Sequence, residues 1–133
     1  MIDINNIKKL CAEIAGAMAV TVQPDNVHEV SQQLSNLLPY LSNLPLLKAD
    51  VTELYDKAKG NAAIEALDNP KLLNAKQDIQ KRWFEGQLAA ENALFSQVES
   101  TEKNLRSQIE GLRTLVSLGK EQMNLERFGG GGS

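Results

Sequence analysis

Between Phe84 and Met123 the chain places a seam of residues at alternating steps of four and three without one slip, and few folds can use such a pattern. The series is Phe84, Leu88, Glu91, Phe95, Val98, Glu102, Leu105, Ile109, Leu112, Val116, Gly119 and Met123, nine of its twelve positions apolar. An average step of 3.5 keeps one edge of an α-helix turned toward a neighbouring helix, whereas a strand needs a period of two. Leu94, Leu115 and Leu118 lie beside the seam and widen the apolar face, which implies packing against more than one neighbour. Glu91 and Glu102 interrupt it, as polar residues that fix register or pair with Lys or Arg across an interface.

No proline follows Pro70. Asp68-Asn69-Pro70 combines a capping side chain with proline at the first helical position, a strong start signal. The spacing therefore predicts one helix over about 70–127, roughly 80 Å at 1.5 Å per residue. Gly86, Gly111 and Gly119 weaken it by about 1 kcal/mol each relative to alanine without ending it.

Upstream, Ile7, Cys11, Ile14 and Met18 form one stripe of a first helix, about 4–20, capped by Asp3 or Asn5 and stopped before Pro24. Val27, Val30, Leu34, Leu37, Leu41 and Leu44 form the next stripe, capped by Asp25 or Asn26. Pro39 and Pro45 interrupt that stretch, and an interior proline removes a backbone hydrogen bond and crowds the preceding turn. Two helices are expected from it, about 26–41 and 44–59. The second continues with Leu47, Val51, Leu54, Tyr55 and Ala58 and ends at Gly60 as a left-handed cap. Asn61–Leu67 is read as a short Ala-rich turn or loop.

The fold class is thus all-α: an elongated helical bundle, 1–128 as a single domain, with one long C-terminal helix carrying a coiled-coil-like seam. Aromatics are only 5% of the chain, so the core rests on Leu, Ile, Val and Ala. Gly129–Ser133 reads as an engineered Gly/Ser linker outside the fold.

Charge limits the function. The net charge is −3 and the pI about 5.2, without the basic footprint of general nucleic-acid binding or a polybasic membrane-seeking segment. No apolar run approaches the roughly 18 residues that span a bilayer, and Met-Ile-Asp-Ile-Asn-Asn is unlike a secretory leader, so a soluble, cytoplasmic protein is expected. The one cysteine, Cys11, lies among Leu10, Ile14 and Met18 and reads as a buried structural thiol. The one histidine, His28, reads as a surface residue. With no metal-ligand spacing, phosphate-binding glycine loop or nucleophile motif, the expectation is no enzyme, no cofactor and no metal.

Two surfaces stand out. Helices folded back from Asp3 to Lys59 are too short to cover an 80 Å rod. Either the long helix bends back near Gly86 or Gly111 or, as the favoured expectation, Phe84, Leu88, Phe95, Val98, Leu105, Ile109, Leu112, Val116 and Met123 bury against another copy or a protein partner. Lys81, Arg82, Arg106 and Arg113 are the positions from which a phosphate-accepting cleft between subunits, for a nucleotide ligand, would be built. Accessory binding to single-stranded DNA is a third reading, disfavoured by the acidic pI.

From Leu38-Pro39-Tyr40-Leu41 through Ala49 to Gly60, and again at Ala90–Phe95 and Ser107–Leu115, the texture resembles small helical accessory proteins of phages and prophages. The likeness covers about residues 27–125 and holds no shared motif, so it transfers no functional residue. Some such proteins bind host proteins, some form oligomers that sequester nucleotide signals and some assist DNA metabolism, so the likeness implies a role of one of these kinds.

Overall fold

A computed structural model describes residues 3–129, with side chains through Glu126. The described residues form five α-helices and no strand: α1 (Ile4–Met18), α2 (Val27–Leu67), α3 (Pro70–Leu73), α4 (Gln77–Gln87) and α5 (Ala89–Gly129). The all-α class read from the stripes is the observed one. Of the proposed linker, Gly129 ends α5 and the rest lies outside the described residues.

Helix α1 starts where Asp3 accepts the amide of Asn5 on Oδ1 at 3.1 Å. Helix α2 starts at Asn26, whose Oδ1 accepts the Glu29 amide at 3.2 Å. The Glu29 carboxylate reaches back to the Gln23 amide at 3.0 Å. These bonds satisfy amides that a helix start leaves without an internal partner.

The expected break between 41 and 44 does not occur. Helix α2 is continuous for 41 residues through Pro39 and Pro45 and past Gly60 to Leu67. Both prolines are exposed, so the carbonyls they orphan, at Ser35 and Leu41, lie on the face where a surface helix normally opens toward water. Meanwhile Val30, Gln33, Leu37, Leu44, Leu47, Val51, Ala62 and Ala66 are all buried and keep one register across both sites. Breaking the helix would forfeit that register. Gly60 has no positive φ and serves as an ordinary helical residue.

The expected single helix over 70–127 is divided. Asn69 caps α3 by accepting the Leu72 amide at 3.2 Å, in keeping with the start signal at Asp68-Asn69-Pro70. The helix then stops after one turn, where the Leu72 carbonyl accepts the Ala75 amide at 3.1 Å and Gln80 adds its side-chain amide to the carbonyls of Leu72 and Leu73 at 3.0 and 3.2 Å. A slighter interruption follows Gly86, where Leu88 leaves helical geometry (φ −103°, ψ 8°) before α5 begins.

Residues 1–128, expected as one domain, group with the rest of the chain into two compact units. One comprises Met1–Cys11 with Pro45–Ser100 and the other Ala12–Leu44 with Thr101–Ser133. In the first, Ile7, Leu47, Val51, Leu72, Leu94 and Val98 are buried, and Tyr55 meets Phe95 edge-to-face with ring centroids 5.9 Å apart. Cys11 is buried, as expected of a structural thiol. In the second, Ile14, Val30, Leu37, Leu44, Leu105 and Ile109 form the core.

The second unit is tied by polar bonds as well. Gln33 donates to the carbonyl of Ala17 at 2.8 Å, and Gln108 donates to that of Met18 at 3.0 Å. The last carbonyls of α1 have no partner within their own helix, and α2 and α5 supply one each. Further along, Gly119 of α5 lies so close to Val27 that a Cβ would overlap its methyl group. These three contacts set α2 and α5 antiparallel there.

Candidate interaction surfaces

The seam expected to bury against a second copy is largely core. Leu88, Val98, Leu105, Ile109 and Leu112 are buried within the single chain, and Phe84, Phe95 and Val116 are half-buried. Two differences from the expected lengths leave less of the seam bare: α2 runs on past Lys59 to Leu67, and α5 begins only at Ala89. At 41 residues α2 matches α5 in length. Only the distal end of the seam escapes: Met123 is 57% exposed. Elsewhere around the same end of α5, Leu118 and Leu125 are 55% and 73% exposed.

The cause is local to the second unit. Gly119 packs on Val27, the first residue of α2, so α5 beyond this point has no further turn of α2 to lie against. Between that end of α5 and the approach to α2 runs an open groove of about 340 Å³. Leu118 and Met123 of α5 line it with Pro24 and Val27, and so do Asp25 and Glu126. Among the described residues, two carboxylates and no cation line it.

The first unit carries a surface of opposite character on α4, a helix with no buried residue. At 100° per residue, Lys76 at its cap, Ile79, Arg82, Trp83 and Gly86 share one arc of about 120°. Ile79 is 51% exposed, Lys76 and Arg82 are exposed, and Trp83 is half-buried with its ring edge-to-face on Phe84 at 5.0 Å. Open space surrounds the Gly86 backbone. The two carboxylates of α4, Asp78 and Glu85, fall outside this arc. Leu73, just before α4, is also exposed.

Of the four cations proposed for a phosphate-accepting cleft between subunits, Lys81 and Arg82 belong to the first unit and Arg106 and Arg113 to the second. Lys81 borders a shallow depression with Gln77, Asp78, Gln80 and Phe84, on the opposite face of α4 from Ile79. Arg82 is exposed, as is Arg113. Arg106 turns to Glu102 of its own helix at 3.5 Å, an exposed i,i+4 pair of small energetic weight. Glu102 thus has an intrahelical partner, whereas one buried oxygen of Glu91 has no hydrogen-bond partner among the described residues. Glu91 sits in the first turn of α5, where the helix dipole favours a carboxylate.

His28 is exposed at the start of α2. Among the described residues, no three His, Cys, Asp or Glu side chains converge as a metal site would require, and no helix is long and apolar enough to cross a membrane. Comparison of the chain with protein-family models, curated proteins and solved structures gives no match.

Proposed function

We propose that this protein is a non-enzymatic helical interaction module that acts by binding protein and that associates with copies of itself. One observation carries the reading: the seam of α5 runs on to Met123, 57% exposed, after its cover from α2 has ended, and the exposed Leu118 lines the same groove. Burial of large aliphatic groups contributes about 25 cal/mol per Å² of apolar surface, so a cluster of this kind favours association when a matching surface is offered.

Analytical ultracentrifugation from sub-micromolar to about 100 μM protein tests it. The expected result is a mass that rises above 14.6 kDa with concentration. A monomer across the whole range would refute self-association.

A further inference from the structure

The geometry points to a head-to-tail contact, in which α4 of one copy seats in the acidic groove beside α5 of the next. This rests on the self-association proposed above and names the two surfaces that meet.

Charge selects the occupant. The groove is lined by the apolar Leu118, Met123, Pro24 and Val27 together with two carboxylates, Asp25 and Glu126, and by no cation among the described residues. Neither Asp25 nor Glu126 has an ion-pair partner among the described residues. An occupant that suits it presents an aliphatic or aromatic ridge flanked by cations and has no acidic group on that face. Such a surface exists on this chain. The exposed arc of α4 carries Ile79 between Lys76 and Arg82, with Trp83 beside them. The stretch from Lys71 to Arg82 holds four cations and one carboxylate within a chain of net charge −3, so positive charge is concentrated where an apolar ridge is exposed.

Shape agrees with charge. A groove of about 340 Å³ accepts a few side chains rather than a whole helix, so Ile79 and its neighbours would enter while the cations stay at the rim. Gly86, at the far end of the same arc and with open space around it, lets the helix approach a wall closely. Rim ion pairs of this kind set register and partner choice more than they add affinity. Because the two surfaces differ, the contact is heterologous: each copy offers one groove and one ridge, and assembly continues until a ring closes.

Two charge-reversed chains test this at low ionic strength, where screening is weak. One carries Asp25→Lys with Glu126→Lys, the other Lys76→Glu with Arg82→Glu. All four positions are exposed, so circular dichroism should show unchanged helix content in both. Each double variant alone is expected to dissociate at concentrations about tenfold or more above wild type. Mixed one to one, they should associate again, because the native ridge of the first meets the native groove of the second and the reversed groove of the first meets the reversed ridge of the second. The chain with all four substitutions should associate again with reversed polarity.

Wild-type protein that associates while both double variants retain its mass distribution would overturn the docking and leave self-association standing. The docking also fails if both variants are monomeric and their mixture stays so. A wild-type monomer removes both readings, and a monomer that nonetheless binds a Lys- and Ile-rich helical peptide in the groove assigns that surface to another protein instead.

Discussion

The side-chain amide of Gln33 donates to the carbonyl of Ala17 at 2.8 Å, joining α2 to the last turn of α1. Gln33 is 3% exposed, so water cannot replace it. Substituting Gln33→Leu keeps the volume close and leaves the carbonyl unsatisfied. The expected loss is about 1–3 kcal/mol, read from urea unfolding followed by circular dichroism. Gln108→Leu, at a half-buried site, should cost less.

Glycines on α5 divide by what surrounds them. Gly111→Ala meets open space and should raise stability by about 1 kcal/mol through helix propensity alone. Gly119→Ala puts a methyl group into Val27 and should destabilise by about 1–3 kcal/mol despite the same gain in propensity. Thermal melts of the two variants should move in opposite directions.

Seam residues should separate in the same way into core and surface. Leu105 is completely buried, and Leu105→Ala should cost about 2–5 kcal/mol. Met123→Ala should change chemical stability by no more than about 0.5 kcal/mol. Its effect should appear instead as weaker self-association in sedimentation. A large stability loss at Met123 would mean that the chain covers the groove itself.

Pro39 and Pro45 are exposed within a continuous helix, so each imposes a cost that nothing on its own face offsets. Pro39→Ala is expected to stabilise the protein, by up to about 3 kcal/mol if the helix keeps its course. A loss on denaturant titration would show that this proline helps to keep the buried stripe in register.

Much of this architecture is legible in the residue pattern, and the exceptions have physical causes. Apolar spacing identifies buried faces, so Ile14, Val30, Leu37, Leu105 and Ile109 fall in the core on periodicity alone. Helix ends are harder. Local chemistry argues for a break at Pro39, but the gain from holding Val30 through Ala66 in one register is a sum over distant contacts that no local window displays. Conversely, the gap between Leu73 and Gln77 contains no proline or glycine, and the bonds from Gln80 that stabilise it come from several residues away. The candidate surfaces are partly legible. Met123 is a seam position by spacing, but its exposure depends on where α2 begins to cover α5. The arc of α4 is hidden as long as α4 is taken for part of a longer helix, although the cluster of Lys76, Lys81, Arg82 and Trp83 is its signal.

Trp83 is the only indole in the chain, and it stands on the same arc of α4 as Ile79 and Arg82. Its emission is therefore a single-site optical signal that needs no label. Part of that ring faces solvent in the lone chain, so any occupant of the arc should dry it, shift its light to shorter wavelength and shield it from iodide. The protein carries its own dye at the surface where a partner would land.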